Sequence, residues 1–198
     1  MKTEDNKSLM RLARESLKGK WGLAVGGMFI FCLVSAITEA IWVGILVAGP
    51  LMGGLAIFSL AISRKQEVKL EQLFQGFNNF GKFLGAYWLT ILFVLLWSLL
   101  FVIPGIVAAF SYAMVFFIIA DDSSIGVSEA LKKSKVMMKG YKWKYFCLSW
   151  RFFGWAILSV LSCGIGFLWL FPYMQISFAK FYEDLKAGQK FNTQDADV

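Results

Sequence analysis

The stretch "FLGAYWLTILFVLLWSLLFVIPGIVAAFSYAMVFFIIA", Phe83–Ala120, runs for 38 residues without one charged side chain. About 20 apolar residues at ~1.5 Å each cross a ~30 Å hydrocarbon core, so this run is nearly twice what one crossing needs. It is expected to double back. "VIPGI" (Val102–Ile106) supplies the break, because Pro104 removes a backbone donor and Gly105 permits a turn.

The other uncharged runs divide in the same way. Trp21–Ser63, interrupted only by Glu39, reads as two passes with a break around Gly44–Pro50 ("GILVAGP"), where Gly49 and Pro50 are the break residues. Tyr145–Ala179, interrupted only by Arg151, reads as two passes with a break at "SCGIG", where Gly164 and Gly166 free the backbone. In lipid every backbone amide needs an internal partner, which makes helices of these runs. Nothing alternates polar and apolar with period two, so a barrel is excluded. The expected fold is an all-α membrane protein with six transmembrane helices in three hairpins.

Composition agrees. The 198 residues are 58% hydrophobic and 17% charged, with a mean hydropathy of +0.62. Soluble domains carry roughly 45–50% apolar and about 25% charged residues. Of the 20 basic residues all but Arg151 fall before, between and after the hairpins, and the opposite turns hold no Lys or Arg. Loops rich in Lys and Arg stay cytoplasmic, so both termini are expected inside. The net charge of +7 then faces anionic lipid headgroups, each nearby cation contributing roughly 1 kcal/mol. Nucleic acid is the poorer partner for this charge. Val34-Ser35-Ala36 has the small-residue look of a signal cleavage site, but the segment before it is long, mixed in charge and helical in pattern, so the first helix is expected to stay.

"GKW" (Gly19-Lys20-Trp21), "GKF" (Gly81-Lys82-Phe83) and "WKY" (Trp143-Lys144-Tyr145) place three lysines 62 residues apart. Each ends a charged segment and opens an uncharged one. Lys20, Trp21, Lys82, Phe83, Trp143, Lys144 and Tyr145 are expected as interfacial anchors, rings in the aromatic belt and amines reaching headgroups. Ahead of each anchor lies an amphipathic stretch. Lys7, Arg11, Arg14 and Lys18 oppose Leu9, Leu12, Ala13 and Leu17; Leu70, Leu73, Phe74 and Phe77 follow i, i+3, i+4, i+7; Val127, Ala130, Leu131 and Ser134 do the same. Such helices lie in the membrane interface. The expectation is one domain over 1–198, with approximate repeats 1–64, 65–121 and 122–186 and a disordered polar tail over 187–198.

"ARESLKGKWGLA", "LLWSLLFVIPGIVAAFSYAMVFFIIADD", "SEALKKSKVMMKGYKWKYFCLSW", "FGW" and "GIGFLWLFPY…FAKFYEDL" together resemble the bacterial multi-pass membrane proteins grouped as domain of unknown function 975. The resemblance covers nearly all of the chain. It implies a bacterial, Gram-positive plasma-membrane protein, and it implies no reaction.

The residues themselves offer little chemistry. There is no histidine, the commonest proton shuttle and metal ligand. Cys32, Cys147 and Cys163 have no paired spacing, and no nucleophile elbow, P-loop or zinc-helix motif occurs. Asp121-Asp122 reads as a cap for the following helix, with a metal pair as the alternative. No catalytic, cofactor-binding or metal-ligating residue is expected, and no cofactor. Arg151, seven residues past Lys144, sits ~10 Å into the inner leaflet, where Gln175 and Ser177 on the return helix reach similar depth. It is expected to snorkel to the headgroups, or else to bond Gln175 or line an inward-facing polar cavity. Gly22/Gly26, Gly49/Gly53 and Gly81/Gly85 offer close helix contacts. The favoured function is a non-enzymatic plasma-membrane module, lipid- or envelope-associated or an accessory partner. The alternative is a small transporter or channel with a polar cavity near Arg151 and Gln175.

Overall fold

The computed structural model describes residues 4–40, 44–162, 164 and 166–194. They form helices α1 (Asn6–Leu17), α2 (Trp21–Ala40) and α3 (Gly44–Ser63), then a 3₁₀ helix (Leu70–Asn79), then α4 (Phe80–Leu100), α5 (Val102–Tyr112), α6 (Val115–Asp121), α7 (Val127–Met137), α8 (Lys142–Leu161) and α9 (Phe167–Gln194). No strand occurs among the described residues. The all-α class stands.

Three stretches are long and apolar enough to cross a bilayer: Leu46–Ser63, Leu70–Leu99 and Ile103–Asp121. A fourth is reached if α1 and α2, bent by 97°, count as one span. The expected six crossings are not. The reason lies in the third hairpin, where α8 holds Lys142, Lys144 and Arg151 among its tryptophans and α9 holds Lys180, Glu183, Asp184 and Lys186. These side chains lower the hydropathy of both legs below that of a span.

The hairpin breaks are partly displaced. Gly49 and Pro50 lie inside α3, not at a turn. The described part of α2 ends at Ala40 and α3 begins at Gly44; residues 41–43 between them lie outside the described residues. Around Pro50 the small residues serve packing: a Cβ on Gly49 would lie 2.7 Å from the Phe83 carbonyl oxygen, one on Gly54 would overlap the Leu73 carbonyl, and one on Gly76 would overlap that of Pro50. Backbone meets backbone here, a close approach that small residues permit. The second break falls on Phe101, whose backbone is extended at φ −160° and ψ 148°. Pro104 sits in the first turn of α5, where its missing N–H has no intrahelical partner to lose. Gly105 lets α5 press on α4, since a Cβ there would lie 2.9 Å from Ser98 Cα. The third break is as expected: Gly164 adopts φ +84°, its amide donates to the Ser159 carbonyl at 2.9 Å, and the Gly166 amide donates to Ser162 Oγ at 3.1 Å.

A short amphipathic element precedes each long one, but its apolar face meets protein. In α1, Leu9, Ala13 and Leu17 are buried in the two core clusters shared with α3, α8 and α9. In α7, Ala130, Leu131, Ser134 and Met137 are buried. The middle element is 3₁₀ rather than α, and buries Leu73 and Gly76, three residues apart, while Phe74 is exposed. A three-residue repeat suits 3₁₀ geometry, and the close seat on α3 at Gly54 and Pro50 selects it. The tail expected from 187 remains helical to Gln194; 195–198 lie outside the described residues.

Gly54→Val is expected to destabilise by about 1–3 kcal/mol through overpacking. Gly22→Ala, where a Cβ meets nothing within 4 Å, should be neutral or stabilise by a few tenths of a kcal/mol to about 1. Thermal unfolding of both variants in detergent checks the contrast.

Candidate functional site

The three spaced lysines mark one end of the molecule. Lys20, beside the start of α2, donates to the Gln66 carbonyl just beyond α3. Lys82, at the start of α4, donates to the Ser123 carbonyl just beyond α6. Lys144, at the start of α8, pairs with Asp184 on α9 at 3.1 Å and lies 5.6 Å over the Phe181 ring. Each therefore joins the entry of its hairpin to the exit of the same hairpin.

Between these closures lies a shared ion cluster. Arg64 follows α3, Asp121 ends α6 and Glu183 lies on α9. The Arg64 guanidinium donates to Asp121 and, from Nη2 at 2.6 Å, to Glu183. Asp121, with a side chain only 10% exposed, also accepts from Lys186 and, at 2.9 Å, from the Tyr182 hydroxyl. Burial first, then the neighbouring Asp121 carboxylate, pushes the Tyr182 phenol far above the ordinary tyrosine range, so it stays a donor. Burial also lowers the Lys180 ammonium, with Lys65 adding and Glu183 opposing; its amine donates to the Ser63 carbonyl. Buried charges persist only when paired and hydrogen-bonded, and here one carboxylate gathers donors from α9 and the end of α3.

Two cavities of about 440 Å³ flank this end. One lies among α1, α2, α8 and α9, lined by Arg14, Trp21, Trp155, Ser162, Trp169 and Tyr173. The other lies among α4, α5 and α7, lined by Leu89, Phe93, Tyr112, Ser128, Lys132 and Lys135. Among the described residues no group of three or more His, Cys, Asp or Glu side chains is placed to hold a metal.

A family model described as "Protein of unknown function (DUF975)" matches residues 1–111 and 99–189. The chain belongs to this family. No curated protein and no solved structure matches significantly.

Within this DUF975 chain the residues singled out by sequence separate. Arg151 is on an exposed face of α8, whereas Gln175 lines a cavity of about 10 Å³ with Ala24, Met28 and Leu55. Arg151 makes no ion pair among the described residues and lines neither large cavity. Ser177 donates within its own helix, to the Tyr173 carbonyl at 2.8 Å. Neither large cavity is lined by Arg151, Gln175 or Ser177. Among the anchors, Trp143 is exposed at 74% and Trp21 lines a cavity, but Phe83 is core, 1% exposed and stacked on Phe116. Tyr145 packs edge-on to Phe110 and against Phe178 and Phe181. Only Gly49 and Gly53 of the paired glycines make close contacts; Gly22, Gly26 and Gly81 face open space and Gly85 is in ordinary contact with Val127. Asp121 is the centre of the ion cluster rather than a cap, while Asp122 accepts from the Ser124 amide and hydroxyl. The side chain of Glu39, and Cys163 altogether, lie outside the described residues.

Asp121→Asn leaves two cations facing a neutral amide. It is expected to cost about 1–3 kcal/mol, below the full buried-pair range because Arg64 and Lys186 remain partly solvated. Tyr182→Phe should cost about 1 kcal/mol. Chemical or thermal unfolding in micelles reads both.

Proposed function

We propose that this DUF975 protein is a non-enzymatic, multi-pass module of the bacterial plasma membrane, termini cytoplasmic, whose basic end engages anionic lipid headgroups. The observation that carries this reading is the α4–α5 hairpin. Leu99, Phe101 and Ile103 at its tip are 81%, 70% and 75% exposed, and Leu92, Leu95 and Leu96 are exposed along its leg. Contiguous apolar surface of this kind has no place in water and suits hydrocarbon. At the other end, the charged faces of α1 and α7 and the lysine closures suit the cytoplasmic headgroup layer.

In this reading α2, α3, α4 and the broken helix α5–α6 make four crossings, an even number that returns both termini to one side. The α8–α9 hairpin rests at headgroup level instead. Its tip residues Ser162 and Gly166 line the same cavity as Trp21, which begins α2. The Met10 carbonyl accepts from Tyr173 midway, and the Glu4 amide donates to Asp184, so α9 follows α1, which itself turns 97° from α2. Trp143, Trp150, Trp155 and Trp169 are 74%, 62%, 58% and 50% exposed, the amphipathic rings that collect at a membrane interface. Exposed Arg151 is then solvated among headgroups, which leaves the transporter alternative without its polar cavity.

Single-cysteine labelling, with the native cysteines replaced by serine, tests this arrangement. Ser162→Cys should react from the cytoplasmic side and Phe101→Cys should not. Labelling of Ser162→Cys only from outside intact cells returns the third hairpin to a full crossing and overturns the scheme.

A further inference from the structure

We infer that the cavity among α4, α5 and α7 is a site for one anionic glycerophospholipid, its phosphodiester held by Lys132 and Lys135 and an acyl chain lying against Leu89, Phe93 and Tyr112. The inference rests on the membrane reading above and gives its headgroup contact a definite place.

The cavity joins two chemistries. Its deep wall comes from α4 and α5, where Phe93 and Tyr112 stack with centroids 5.8 Å apart. Leu89 and Phe93 lie 7 and 11 residues past Lys82, ~10 and ~16 Å along α4, which is acyl-chain depth when Lys82 marks the interface. Its shallow wall comes from α7, which supplies Lys132, Lys135 and Ser128. Ser134 fixes this helix by donating to the Ser111 carbonyl of α5 at 2.8 Å, and Val127 lies where a Cβ on Gly85 of α4 would meet it at 3.5 Å. The two lysines, three residues apart, therefore share one face of a helix that is already anchored.

Neither lysine makes an ion pair among the described residues. Glu129 on the same helix is exposed and pairs with neither. By contrast Lys144 and Lys186 at the same end are neutralised by Asp184 and Asp121. A volume of about 440 Å³ lies within the ~300–1,000 Å³ of small-molecule sites. Unpaired cations and a serine hydroxyl on one wall and aromatic rings on the other match a charged headgroup with its chain, and basic pockets of this kind at the cytoplasmic side favour anionic lipid.

Native mass spectrometry of the full chain, released from nanodiscs containing equal phosphatidylglycerol and phosphatidylcholine, tests the site. One phosphatidylglycerol should be retained per protein in preference to phosphatidylcholine. Lys132→Gln with Lys135→Gln should weaken that retention roughly thirty-fold, two contacts of roughly 1 kcal/mol at ~1.4 kcal/mol per decade. Lys133→Gln on α7 with Lys139→Gln just beyond it removes the same charge outside the cavity and should change it by less than about threefold, and Lys132→Arg with Lys135→Arg should preserve it. All four lysines are exposed, so the folded bundle survives these changes. Equal retention of the two lipids, equal loss in both glutamine pairs, or displacement by millimolar inorganic phosphate overturns the lipid site. Carbonate extraction of the same membranes separates the failures: a chain that washes off sinks the membrane reading, whereas one that stays and ignores phosphatidylglycerol sinks the site alone.

Discussion

Asp121 is the residue on which the helix arrangement turns. It ends α6, yet Arg64 reaches it from beyond α3 and Lys186 and Tyr182 reach it from α9. A carboxylate this enclosed is stable only while its donors stay in place, so the three hairpins are tied at one point. Around it, Lys20, Lys82 and Lys144 each shut one hairpin at its base. At the opposite end the α4–α5 tip exposes leucine, phenylalanine and isoleucine.

Much of this was legible in the residues. The length of Phe83–Ala120 demanded a reversal, and the chain does reverse, at Phe101. The order of short amphipathic element, lysine and long helix recurs three times as read. What periodicity does not report is the identity of the neighbour. The apolar stripes of α1 and α7 look the same whether lipid or protein covers them, and here protein does. Phe83 reads as an interfacial ring by position, but the tight approach of α4 to Gly49 and Gly53 draws it inward. Gly49-Pro50 reads as a turn because that pair breaks helices in water; here the same residues clear space for a neighbouring backbone.

The ion cluster was not read at all, although a signal existed. Arg64 and Asp121 each stand directly after a long uncharged run, at the place where a return leg emerges. Opposite charges at equivalent exits of successive hairpins are candidates to meet. Arg151 drew attention because it interrupts an apolar stretch. Its surroundings explain it more simply, since tryptophans and a charged helix end make α8 a surface element.

The tie at Asp121 also constrains the order in which the polypeptide can mature. Arg64 is made before Asp121, but Lys186 emerges 65 residues after it. A nascent chain stalled between them holds a half-neutralised acid at the mouth of its second hairpin. Helix α9 thus acts as a latch, and the tie closes only when the turn that carries Tyr182 and Lys186 has been synthesised and docked.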